Sequence, residues 1–234
     1  MRTVGREEAL EVPTERARVC SACGQSAPRS QWAATVSGLP EPKCRNLWCR
    51  APDRPVGAVF AVGNYEGALR EAIVAYKYRW DLRWARPFGA MLYRFISRHA
   101  TWFEEYGVIC PMPQFSGPGA RRPWEHVGLV CAEVGRLADG AWPVEPLLTK
   151  VVETDVMSTK GGRARRQLAR RTLRRAFAVT DPGAVVGRRV LLVDDVCASG
   201  YTLLTVGRTL RQAGAEEVAA LVLARARWHP GRRG

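Results

Sequence analysis

The sequence has no run of eighteen apolar residues, so it offers no segment of membrane-spanning length. Its first residues are charged (Arg2, Arg6, Glu7, Glu8) with no apolar stretch behind them, so a secretory leader is not expected. No internal repeat is evident, which leaves no basis for a repeat architecture. Acidic residues are scarce: 22 Asp and Glu face 36 Lys and Arg, for a net charge of +14. Lysine is scarce beside arginine, and alanine and glycine are plentiful, as a GC-rich genome would give. That composition accounts for arginine over lysine, but not for the excess of cations over anions. Such a field attracts polyanions: nucleic acid, phosphorylated substrates or an anionic membrane surface.

The 234 residues allow one good-sized domain with a small appendage, and an apolar fraction of 47% suffices for a real core. A cytoplasmic protein is expected. The seven cysteines are then not expected to form disulfides.

The most informative stretch runs from Val190 to Thr202, VLLVDDVCASGYT. Four apolar residues predict a buried strand. Asp194 and Asp195 stand at its carboxyl end, where open α/β sheets bind ligands. A loop of small residues follows, Cys197-Ala198-Ser199-Gly200-Tyr201-Thr202, and then a helix start. Backbone N–H groups at a helix N-terminus favour an anion, and small side chains let a phosphate come close. Carboxylates accept hydrogen bonds from a ribose diol and hold Mg²⁺ through water. If the strand continues through the two aspartates, their side chains alternate between faces; in a loop just past it both can turn toward one sugar. The stretch therefore has the layout of a ribose-phosphate site.

Two cysteine pairs stand near the N-terminus, Cys20-x2-Cys23 and Cys44-x4-Cys49. Paired thiols separated by a loop can reach the corners of a tetrahedron, which predicts a structural zinc site. A segment this short cannot bury its own core, so the metal would supply much of its folding energy. Cys110, Cys131 and Cys197 lie in separate apolar settings and read as core or loop thiols.

The rest of the chain alternates strand and helix patterns. Residues 1–18 read as disordered, 19–50 as the zinc-binding knuckle, 50–56 as a linker, 57–228 as the main domain and 229–234 as a basic tail. Strands are expected at Val59–Val62, Val108–Cys110, Val144–Leu148, Val190–Val193 and Val218–Leu223. Helices are expected at Tyr65–Tyr78 (Leu69, Ile73 and Tyr76 inward) and Arg86–Arg98 (Phe88, Leu92 and Phe95 inward). Two more are expected at Trp124–Leu137 (Val127, Val130, Val134 and Leu137 inward) and Thr202–Ala213 (Leu203, Val206 and Leu210 inward), the last closed by Gly214. The fold class is α/β: a mostly parallel sheet with helices on both faces.

Two other segments suit an anionic ligand. Pro111–Arg122, PMPQFSGPGARR, ends in Arg121 and Arg122, whose guanidinium forks match phosphate oxygens. Residues 150–175 are strongly basic, and read as a lid over a phosphorylated ligand, a nucleic-acid contact or a solvated basic helix.

The VDDV segment and its loop resemble the 5-phosphoribosyl 1-pyrophosphate (PRPP) signature of type I phosphoribosyltransferases. The resemblance implies that Asp194 and Asp195 take the ribose hydroxyls and that Ala198, Ser199, Gly200, Tyr201 and Thr202 take the 5′-phosphate. Cys197 departs from the aliphatic residue usual there. The loop ending in Arg121 and Arg122 would meet the diphosphate, and Lys77 would help neutralise it as it leaves. The order of features extends the likeness: four cysteines, YEGALREAIVAYKY, PMP with RRPWEHV, a basic segment ending in RRAFAV, then VDDV. In this order the chain, from Cys20 to Arg227, is similar to the ComF family, phosphoribosyltransferase-like proteins associated with natural competence. That resemblance implies a type I phosphoribosyltransferase fold, structural zinc, PRPP with Mg²⁺, and a cytoplasmic role with incoming single-stranded DNA and other competence proteins. Pro123 stands where the family usually has glycine, Met157 where it has glutamine, and Arg175 where it has asparagine. The ribose-phosphate loop is kept better than the loops expected to act on base or diphosphate, so binding is better supported than turnover.

Overall fold

The computed structural model describes residues 32–34, 40–42, 54–120, 124–154 and 171–226. Two short strands, β1 (Trp32–Ala34) and β2 (Pro40–Pro42), pair antiparallel. The main sheet is made of β3 (Val59–Asn64), β4 (Val108–Pro111), β7 (Arg189–Cys197) and β8 (Glu217–Arg225). Its order is β3-β8-β7-β4, and all pairings are parallel. A further rung lies outside β4: Ile109 N–H donates to Pro143 O at 2.8 Å and Glu145 N–H to Ile109 O at 2.9 Å. That rung is the Val144 end of the expected strand. Its Leu148 end belongs instead to an antiparallel pair, β5 (Leu148–Lys150) with β6 (Phe177–Val179).

Parallel strands need long crossovers, and helices supply them. Between β3 and β4 run α1 (Gly67–Tyr78), α2 (Ala85–Arg98) and the short α3 (Ala100–Phe103). α4 (His126–Ala138) follows β4, and α5 (Tyr201–Gln212) joins β7 to β8. α2 packs on α4 over one face of the sheet, while α5 lies against β7, β8 and β6. Val190 to Val193 are each at most 1% exposed, so both faces of β7 are covered.

The helical stripes follow a 3.6-residue period. Leu203, Val206 and Leu210 are all buried on α5, and Val127, Val130 and Val134 on α4. Leu69, Phe95 and Leu137 are only half-buried, and Ala72, Ile96 and Ala138 fill the core beside them. Val56, within the stretch read as linker, is fully buried. It lies so close to α5 that a Cβ on Gly207 would stand 2.4 Å from its Cγ2. Only glycine permits that approach of helix to chain.

Among the described residues no helix is long and apolar enough to cross a membrane. Cys110, Cys131 and Cys197 are buried free thiols. Cys20, Cys23, Cys44 and Cys49, Arg121 and Arg122, and most of the basic segment lie outside the described residues.

Candidate functional site

β7 does not stop at Val193. It continues through both aspartates to Cys197, because β8 keeps pairing with it: Asp194 with Val222, Val196 with Ala224, Cys197 with Arg225. The carboxylates therefore stand inside the last turns of a strand rather than in a free loop, and their environments differ. Asp195 is 5% exposed and is held on both oxygens. Lys77 Nζ, from the last turn of α1, donates to its Oδ1 at 2.8 Å. His126 Nε2, at the start of α4, lies 2.5 Å from its Oδ2. An ionised carboxylate only accepts, so Nε2 carries the proton in this contact.

Asp194 is half-buried, and its Oδ1 accepts the backbone N–H of Asp195 at 2.8 Å. Tyr76, Val127, Val130, Val193 and Leu223 close around the two acids and His126. The Tyr76 hydroxyl donates to the carbonyl of His126 at 2.6 Å, tying α1 to the first residue of α4.

This packing separates the two acids electrostatically. Burial alone would raise Asp195, but the Lys77 charge and the hydrogen bond from His126 outweigh it and hold Asp195 well below the usual carboxylate range. On Asp194 the pull of Lys77 is outweighed. Burial first, and then the charge of Asp195, push it up to about 7. Burial disfavours the charge on Lys77, and Asp195, with Asp194 behind it, more than restores it. The arrangement gives one fixed anion and one carboxylate short of positive partners. A metal ion or a pair of hydroxyl donors would relieve the second.

The turn after the strand leads directly into a helix start. Gly200 has φ +78°, the left-handed region open to glycine, and caps α5. Ser199 Oγ accepts the N–H of Tyr201 at 3.3 Å. Ala198 and Ser199 are exposed, Tyr201 and Thr202 half-buried, so the first turn of α5 opens to solvent at this point. Beneath it lies Arg225, 3% exposed. Its Nη1 donates to Cys197 O at 2.5 Å, to Cys197 Sγ at 3.0 Å and to Ala198 O. Burial pushes the Cys197 thiol up to about 11 against the pull of Arg225, so it remains a neutral packing group. Arg174 Nε donates to the Tyr201 hydroxyl at 3.1 Å, so the end of the basic segment reaches the turn.

The structure thus brings together Asp194, Asp195, Lys77 and the 198–202 turn. It adds three residues that sequence reading left aside. His126 was legible in principle: it stands four residues before Val130 and eight before Val134, on the buried stripe of α4. Arg174 was one of many arginines in a basic run. Arg225 had no signal, since a strand-terminal arginine ordinarily reads as solvated.

A phosphoribosyl transferase domain model matches residues 150–232. Competence protein F of Haemophilus influenzae is 26% identical over 168 residues, covering 70% of this chain and 71% of that protein. The DNA utilization protein YhgH of Escherichia coli O157:H7 is 26% identical over 216 residues, covering 88% and 90%. Over most of its length the chain is thus similar to proteins named for competence and DNA utilization, and its C-terminal part matches the phosphoribosyl transferase domain. A shorter stretch of 42 residues is 55% identical to an adenine phosphoribosyltransferase of Erythrobacter litoralis, covering 18% of this chain and 24% of that one. Among solved structures, an allosteric regulatory enzyme of purine biosynthesis aligns with a TM-score of 0.33 and 22% identity. The alignment covers 59% of this chain and 25% of that one.

Proposed function

We propose that this protein binds a 5-phosphoribosyl ligand, PRPP or a related ribose phosphate, at the carboxyl end of β7, and that it serves the handling of DNA. The observation that carries the first half is the junction of Asp194 and Asp195 with a glycine-capped helix start, braced from below by Arg225. The 5′-phosphate lies on the amides of the 198–202 turn, where Tyr201 brings Arg174 close. The ribose hydroxyls donate to the carboxylates, mainly to Asp194, because Lys77 and His126 already occupy both oxygens of Asp195. Mg²⁺ fits the same place: Asp194 is an oxygen donor short of positive partners, and the ion would neutralise ligand phosphates.

In transfer chemistry, a nitrogen nucleophile forms a bond to C1′ as the C1′–diphosphate bond breaks. The protein's share is positioning and neutralisation of the departing anion. Lys77 stands near for the second task, with Arg121 and Arg122 expected to join it. The zinc knuckle at Cys20, Cys23, Cys44 and Cys49 remains part of this reading as a structural element. Binding without turnover is the second reading. The net charge of +14 and relatives named for competence and DNA utilization favour a partner in single-stranded DNA.

Titration calorimetry of Mg²⁺ and PRPP tests the site. The Asp194→Asn/Asp195→Asn variant is expected to lose about a hundredfold or more in affinity, as two charge-assisted contacts go. Unchanged affinity removes the assignment. Diphosphate release over a panel of nucleobases separates the enzyme from the binder.

A further inference from the structure

A second surface begins where the first site ends. Trp80 lies three residues past Lys77, and Trp124 two residues before His126, so both stand on the element ends that grip Asp195. Their rings meet edge to face, with centroids 6.5 Å apart. Both remain exposed, Trp80 at 46% and Trp124 at 48%. Trp80 also has φ +61°, in the left-handed region where a bulky side chain is strained and glycine would be at ease. Bulky side chains are rarely retained in that conformation without a use for them.

Just beyond the pair along both segments, two residues after Trp80 and five after Trp124, begin the residues that line an open groove of about 780 Å³. One wall is Leu82, Arg83 and Arg86; the other is the outward face of α4, with Leu129, Glu133 and Arg136. Arg83 is held by Asp81 and Arg136 by Glu133, yet their side chains stay 72% and 65% exposed. Arg86 adds a third cation. The groove has cations on both walls, and the tryptophan pair stands on the two chain segments that lead into those walls.

We infer that this groove seats single-stranded nucleic acid, its phosphates along Arg83, Arg86 and Arg136 and an unstacked base on Trp80 and Trp124. The chemistry selects that occupant. Guanidinium groups in a row suit a phosphate backbone. Exposed indole faces suit bases free of a duplex. The inference rests on the DNA-handling half of the proposed function and is independent of the ribose-phosphate half.

Fluorescence anisotropy of the full chain with a labelled oligo-dT, across a salt series, tests it. Trp80→Gly relieves the backbone strain and is expected to stay folded while losing about tenfold in affinity. Trp124→Ala is expected to lose a similar factor, and Trp80→Phe to keep most of the binding. Arg86→Gln is expected to lower the salt slope by about one. Calorimetry with Mg²⁺ and PRPP on the same variants is expected to show wild-type affinity. Unchanged oligonucleotide binding in both tryptophan variants overturns the groove alone. A wild type that binds no oligonucleotide, or duplex as tightly as single strand, overturns the groove and the DNA partner together. Loss of PRPP binding in Trp80→Gly places the tryptophans in the ribose-phosphate site and also overturns the inference.

Discussion

β7 and β8 are parallel neighbours of nine residues each, and both finish in a buried charge at the same end of the sheet. On β8 it is Arg225, answered by the backbone carbonyls of Cys197 and Ala198. On β7 it is Asp195, answered by side chains from α1 and α4. The difference separates a brace from a site. A cation that donates through one nitrogen to carbonyls of the next loop fixes the shape of that loop. An anion satisfied by side chains from two helices gathers those helices around a point, and leaves its neighbour Asp194 open on one side. The strand that carries the paired carboxylates is thus shaped at that end by a neighbour that carries none there.

Removing each charge breaks the comparison most directly. Asp195→Leu leaves Lys77 buried without its anion, and is expected to cost about 3–5 kcal/mol in urea unfolding. Arg225→Leu strands two carbonyls instead, with an expected loss of about 1–3 kcal/mol. That loss should come with faster proteolysis near the 198–202 turn and weaker PRPP binding, while the α1–α4 corner stays intact. Equal losses, or a softened α1–α4 corner in Arg225→Leu, would erase the distinction between brace and site.

The same contrast explains what could be read from the chain in advance. Val190–Val193 and the stripe Leu203, Val206, Leu210 were legible because cover on both faces makes an apolar run, and cover on one face makes a 3.6-residue period. The extension of β7 through two aspartates was not legible. Acids are depleted in strands, and only the ladder with β8 carries the chain through them. β6 is three residues long, too short for a period, and finds β5 across the whole basic segment. Arg225 and His126 are buried polar groups whose partners lie 28 and 69 residues away, beyond the reach of local pattern. Trp80 occupies a backbone position where glycine would be expected, so nothing local announced the turn.

The two carboxylates should also part company with pH. Asp194 has its folded pKa raised to about 7 from an ordinary 3.8. Its contribution is complete below about pH 4 and is lost as pH rises through about 7, because the fold favours the protonated form. Asp195 is depressed, so its contribution is present above about pH 4 and is lost only as pH falls toward its folded value. Urea unfolding of wild type against Asp194→Asn, from pH 4.5 to 8, isolates the first effect. The variant is expected to gain on wild type by roughly 1–3 kcal/mol as pH rises through this range. A constant difference would mean that Asp194 is not held apart from water and charge partners as the packing implies.

The smallest expected effect lies at His126, and it sharpens what holds Asp195. Lys77 supplies the charge; His126 supplies a directed N–H and a link through its carbonyl to Tyr76. The backbone link survives any substitution at this position. His126→Gln can still donate an N–H toward Oδ2, and is expected to cost under about 1 kcal/mol; His126→Ala leaves that oxygen without its donor and is expected to cost about 1–2 kcal/mol. The readout that distinguishes positioning from bulk is ligand affinity. If His126 orients Asp195, alanine weakens PRPP binding and glutamine restores most of it. If both variants bind alike, Lys77 alone sets the anion, and the helix α4 end of the site is packing.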